Sequence, residues 1–170
     1  MRIFIVTEMV SGCYKWRCAI PAKYLRQRGH TVETFSDEIR AYEAPDVLVV
    51  RTHCPGVEML IAWCKCKKVR VVYDTDDALD LVPRENINYW NLQKKIHDYH
   101  FLLENADVVT TTTPTLAAYL RAKNPNVAIL PNSVDPEEWS VAPRHAQARV
   151  GWTGSATHFH DLLVAMDAMR

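Results

Sequence analysis

Short apolar runs rich in valine and isoleucine alternate along the chain with stretches whose apolar residues recur at helical spacing. That alternation is the signature of a β-α-β series and a parallel sheet. In chain order the predicted strands are Arg2–Thr7, Thr31–Phe35, Asp46–Arg51, Val69–Asp74, Asp107–Thr111, Val127–Leu130 and Arg149–Thr153. Between them, Val57, Leu60, Ile61 and Cys64 fall at i, i+3, i+4 and i+7, and Leu92, Ile96, Tyr99 and Leu103 at i, i+4, i+7 and i+11. Each set makes one apolar stripe, so each predicts a helix lying on the sheet. A first helix is expected between Pro21, acceptable at a first helical position, and Gly29, suited to the position just past a helix end. The expected fold is α/β: a Rossmann-like, doubly wound, mostly parallel sheet with helices on both faces.

Composition narrows the classes of function. With 48% hydrophobic residues in 170, the chain can bury a sizeable core and lacks the profile of a disordered protein. Its 20 basic and 20 acidic residues cancel, which argues against a nucleic-acid partner met through phosphate neutralisation. The longest apolar runs, such as Ile3–Val6 and Val47–Val50, fall far short of the roughly 20 residues that cross a bilayer. No membrane span is expected, and without a secretory pattern after Arg2 the expected location is cytoplasmic. Cysteines at 13, 18, 54, 64 and 66 are odd in number and irregularly spaced, so reduced thiols are expected. Cys64 and Cys66 would point about 200° apart on a helix, which disfavours a shared metal. The cations Lys65, Lys67, Lys68 and Arg70 suit a helix C-terminus. The stretch Pro131–Arg149, with Pro131, Pro136 and Pro143, is linker-like and places a boundary near residue 145. Residues 1–148 then form one domain, and 149–170 hold a strand and the start of a helix, too little to bury its own faces.

Ligands of doubly wound sheets bind beyond the carboxyl ends of the strands, so the residues just after each strand are the candidates. After the first strand come Glu8, Gly12, Tyr14 and Arg17, without the G-x-G-x-x-G of dinucleotide binders. Arg17 either offers its donor fork to an anion at a helix start or pairs with a nearby carboxylate. His53 follows the third strand and suits a general acid, a base or a substrate donor, or a histidine satisfied by backbone. Asp74, Asp76, Asp77 and Asp80 crowd four carboxylates into seven residues after the fourth strand. They could hold a hard cation, hydrogen-bond sugar hydroxyls or a substrate amine, or cap the following segment through Asp76 or Asp77. Thr110–Thr113 before Pro114 provide hydroxyls at a helix start. Gly154 and Ser155, between the last strand and a helix, make an anion cradle suited to a diphosphate.

Taken together these pieces resemble the group 1, family four-like, glycosyltransferases. The resemblance runs through Arg17-x-x-x-Pro21-Ala22-x-x-Leu25-x-x-x-Gly29-His30-x-Val32, Asp74-x-Asp76-Asp77 and Ala106-Asp107-Val-Val-Thr. It continues through Leu130-Pro131-Asn132-Ser133-Val134-Asp135 and Gly151-Trp-Thr-Gly154-Ser155-x-Thr157-His158-x-x-Asp161-Leu162. It implies the two-Rossmann-domain GT-B fold, of which this chain would be the N-terminal half plus the start of the second domain. It also implies sugar transfer from a nucleotide-sugar to an acceptor, usually with retention, and no metal or cofactor beyond that co-substrate. By position, Gly12, Tyr14, Arg17 and His53 would face the acceptor; Gly154, Ser155, Thr157 and His158 would line the donor diphosphate; Asp76 and Asp77 would lie near the reacting sugar. A partner chain or a dimer could complete the missing half, and alone the chain is expected to be weakly active or inactive. The competing readings are a stand-alone α/β ligand-binding module and an aspartate-dependent phosphatase using Asp74 and Asp76.

Overall fold

In the first strand, β1 (Arg2–Val6), successive side chains are buried on opposite sides of the sheet, as a strand covered on both faces requires. The computed structural model describes residues 1–8, 12–36, 44–51, 56–139, 151, 162–164 and 166. Among them six strands form one all-parallel sheet in the order β2-β1-β3-β4-β5-β6, the others being β2 (Thr31–Phe35), β3 (Val47–Val50), β4 (Arg70–Asp74), β5 (Val108–Thr111) and β6 (Val127–Ile129). The order reverses at β1, which pairs with β2 on one side (Ile3 opposite Val32) and β3 on the other (Ile3 opposite Val47). The chain is a Rossmann-like α/β fold, with its switch point at the carboxyl ends of β1 and β3.

Two apolar layers sandwich the sheet. Phe4, Val6, Leu48, Val50, Val71 and Tyr73 face α3 (Val57–Lys67), α5 (Ile96–Asn105) and α6 (Pro114–Leu120), which contribute Ile61, Leu102, Leu103 and Leu120. Ile3, Ile5 and Val32 face the other way, onto Cys18 and Ala22. Right-handed crossovers explain the division: stepping one way from β1 to β2 and the opposite way from β3 onward sends the helices to opposite faces.

Strand positions agree with the sequence pattern to within a residue or two; the helices depart from it instructively. The first helix starts at Gly12, not at Pro21: α1 (Gly12–Tyr14) runs through a π-helical turn (Lys15–Ala19) into α2 (Ile20–Gln27). Pro21 has no N–H and would crowd the carbonyl of Arg17 in an α-helix, and the wider turn, with the Ile20 N–H donating to Lys15 O, makes room for it. Gly29 does follow the helix end, at φ 83°, with the His30 N–H donating to Leu25 O at 3.1 Å. The stripe from Leu92 to Leu103 spans two helices, α4 (Tyr89–Gln93) and α5, with a turn at Lys94 and Lys95 between them. Thr113 caps α6, accepting from the Leu116 N–H at 3.2 Å, and Pro114 takes the position after it. Cys64 is buried and Cys66 exposed, as opposite sides of α3 require; burial pushes the Cys64 thiol up to about 11. No helix among the described residues is long and apolar enough to cross a membrane. The strand expected at Arg149–Thr153 and the boundary near residue 145 lie outside the described residues.

Candidate functional site

The carboxyl end of β4 carries Asp74, whose side chain lies on the face covered by α1 and α2. It stands opposite Thr110 in the β4–β5 register, and the Thr110 hydroxyl donates to Asp74 Oδ1 at 2.6 Å. Arg17 reaches the same carboxylate from the π turn: its Nε donates to Oδ2 at 3.0 Å and its Nη2 to Oδ1. Its remaining nitrogen, Nη1, donates to Leu130 O and lies 3.4 Å from Asn132 Oδ1, just past β6. Both members of the pair are buried, at 5% and 3% exposure. A buried charge survives only when paired and hydrogen-bonded, and this one is both.

The loop after β4 forms the wall of a cavity of about 130 Å³ at the carboxyl ends of β1, β3 and β4. Arg51, the residue after β3, donates from Nη2 to Asp76 Oδ1 at 2.6 Å, and its Nε lies 3.4 Å from Asp74 Oδ2. Burial opposes its charge, but the carboxylates of Asp76 and Asp74 outweigh that and hold the guanidinium's pKa above its ordinary value. Across the cavity Lys95 pairs with Glu8 at 3.2 Å, and Leu79 and Leu92 supply apolar wall. Thr75 folds the loop back, its hydroxyl donating to Asp77 O at 2.9 Å.

A second cluster fastens the chain after β6. Asp135 is fully buried; its carboxylate accepts from Lys23 Nζ at 2.7 Å, Tyr24 OH at 2.9 Å and the Glu137 N–H at 3.1 Å. Lys23 above all, against the cost of burial, holds Asp135 below the usual carboxylate range. Lys23 also pairs with Glu137 at 2.6 Å, Lys15 with Glu138 at 2.5 Å, and the Trp16 and Trp139 rings lie 6.4 Å apart. Residues 131–139, expected to belong to a linker, therefore lie strapped along the π turn and α2.

No family model matches the chain, and no curated protein matches it either.

Of the residues singled out in the sequence, Asp74, Asp76 and Asp77 line the cavity and Arg17 lies behind it, on Asp74. Arg17 is neither exposed nor turned to open solvent at a helix start: its hydrogen bonds join α2's approach, the sheet and the post-β6 turn. Gly12 begins α1 with nothing within 4 Å of where a side chain would start, and Tyr14 is half-buried against the apolar layer of Ile3, Ile5, Cys18, Ala22 and Val32. Neither is among the residues lining the cavity. His53, Gly154, Ser155, Thr157 and His158 lie outside the described residues. Arg51 and Lys95 were not singled out as site residues, and Glu8 was named after the first strand without a role. Arg51 closes the predicted third strand and Glu8 follows the predicted first one, a signal available in the sequence; Lys95 arrives only through the turn that splits α4 from α5. No group of three or more metal-ligating side chains occurs among the described residues.

Proposed function

We propose that the chain is the acceptor-side half of a GT-B glycosyltransferase, serving transfer of a sugar from a nucleotide-sugar to an acceptor with retention at the anomeric carbon. The observation that carries this reading is a meeting of distant motif residues. Arg17, Asp74 and the Leu130–Asn132 segment, up to 115 residues apart, share one hydrogen-bonded node beside the cavity at the switch point, buried at Arg17 and Asp74 and open toward Asn132. In this reading Asp76 and Asp77 lie by the reacting sugar, and Arg17 is a positioning residue that acts through Asp74. Gly12, Tyr14 and His53 serve the acceptor; Gly154, Ser155, Thr157 and His158 serve the donor diphosphate. Protein groups rather than a metal hold the phosphates, and a second domain or partner chain supplies the rest of the donor site.

The phosphatase reading is less well supported. A nucleophilic aspartate needs an oxygen facing substrate, whereas both oxygens of Asp74 are engaged by Arg17 and Thr110 in a buried setting. Magnesium-dependent phosphate release that disappears in Asp74→Asn would reverse that preference.

Calorimetric titration of the 170-residue chain with a panel of nucleotide-sugars is expected to show weak or absent donor binding, and product analysis little or no transfer. Robust transfer by the purified 170 residues would overturn the half-enzyme assignment.

A further inference from the structure

We propose that the groove between α2 and the segment after β6 binds one free, single-chain amphiphile with an anionic head, its alkyl chain laid along the helix and its carboxylate at Arg28. The groove shares no lining residue with the cavity at the carboxyl ends of the strands, so its occupancy is independent of the sugar-transfer reading.

The helix sets the shape. Trp16, Ile20, Tyr24 and Arg28 follow one another at four-residue intervals along the π turn and α2 and line one wall; Leu130 and Val134 line the other. At a rise of about 1.5 Å per residue the helical wall runs for about 18 Å. The groove's volume, about 560 Å³, lies within the roughly 300–1,000 Å³ of sites that enclose small ligands, and spread over that length it makes a trough rather than a round chamber. An extended alkyl chain lies in such a trough lengthwise. Apolar surface there stands open to water, with Leu130 at 46% and Val134 at 61% exposure, and covering it is the favourable part of binding.

Charge fixes the head group. Arg17 reaches the groove, but its guanidinium is spent on Asp74, Leu130 O and Asn132. Asp135 is fully buried and engaged by Lys23 and Tyr24. Arg28, exposed at the end of α2, makes no ion pair and no side-chain hydrogen bond among the described residues, so the uncommitted charge lining the groove is a cation. An ammonium head finds no spare carboxylate there, whereas a carboxylate head finds the planar donor fork of an arginine. At the outer edge Lys23 pairs with Glu137 and Lys15 with Glu138, two cations against two anions, so these four charges give an anionic bilayer no net attraction. That balance favours the free amphiphile over a membrane surface.

The test is a ¹⁵N-resolved NMR titration of the 170-residue chain with sodium decanoate below its micelle concentration, alongside decanol, decyltrimethylammonium and phosphatidylglycerol vesicles. Saturable shifts are expected with decanoate at the amides of Ile20, Tyr24, Arg28 and Val134, with those of Val71 and Val109 in the sheet unmoved. Decanol should bind about threefold more weakly, the scale of one exposed ion pair, and decyltrimethylammonium at least tenfold more weakly. Arg28→Gln should remove the preference for decanoate over decanol, and Val134→Asp should weaken decanoate binding at least tenfold. Both variants change exposed residues, which guards against loss of fold. No saturable shift with decanoate, equal or tighter binding of decyltrimethylammonium, or movement of the same amides by vesicles but not by decanoate would overturn the proposal. Self-association reported by these amides, with decanoate silent, would give the groove to a second copy of the chain and overturn it as well.

Discussion

Arg17 and Asp74 make a two-point pair with almost no access to water. Replacing one partner leaves the other charge buried, and breaking such a pair costs about 3–5 kcal/mol. Arg17→Met is expected near the lower end of that range, because Thr110 and Arg51 still reach the Asp74 carboxylate. Urea unfolding monitored by circular dichroism measures it; a loss under about 1 kcal/mol would mean the pair is not a structural node. The aspartates after the fourth strand and Arg17 stood out in the sequence because carboxylate crowding and an arginine near a strand end are local features. Which of the four carboxylates Arg17 would choose was not readable. That choice depends on a register that sets Thr110 beside Asp74 and on a π turn that directs Arg17 inward.

The first helix shows how one residue reshapes an element. Pro21 looked like a start signal, yet the helix runs through it, because a π turn ahead of the ring accommodates the missing donor and brings Arg17 and Cys18 to the buried side. The strap after β6 is a comparable case: its prolines read as linker, but a single buried aspartate holds it on α2. The peripheral pairs Lys23–Glu137 and Lys15–Glu138 are partly exposed and contribute little each. Asp135 is the main fastening. Its pKa is lowered in the folded state, so its contribution is present above the ordinary carboxylate value of about 3.9 and is lost as pH falls through the lower folded-state value. Hydrogen exchange is expected to show faster exchange at Glu137 and Glu138 in Asp135→Asn, and in the native chain below about pH 4, with the β1, β3 and β4 amides still protected. Unchanged exchange at Glu137 and Glu138 would mean that the apolar contacts, not Asp135, hold the strap.

In the whole molecule the sheet's centre and edge carry very different weight. Leu48 is fully buried on β3 between β1 and β4, whereas Ile129 on β6 is 41% exposed. Leu48→Ala is expected to cost about 2–5 kcal/mol, as buried leucine truncations do. Ile129→Ala, at a half-open site, should cost under about 1 kcal/mol. Thermal unfolding of the two variants compares them, and equal losses would contradict the layered core. The fold class, the six described strands and the placement of candidate chemistry after strand ends were written in the sequence, because period-2 and period-3.6 patterns and turn residues act within a few positions of themselves. The strand order, the switch point beside β1, and the pairing of Arg51 with Asp76 and Lys95 with Glu8 came only from the tertiary structure. These join residues 25 to 87 positions apart, and such pairings are set by crossover handedness and by which faces pack together, which no local stretch of sequence contains.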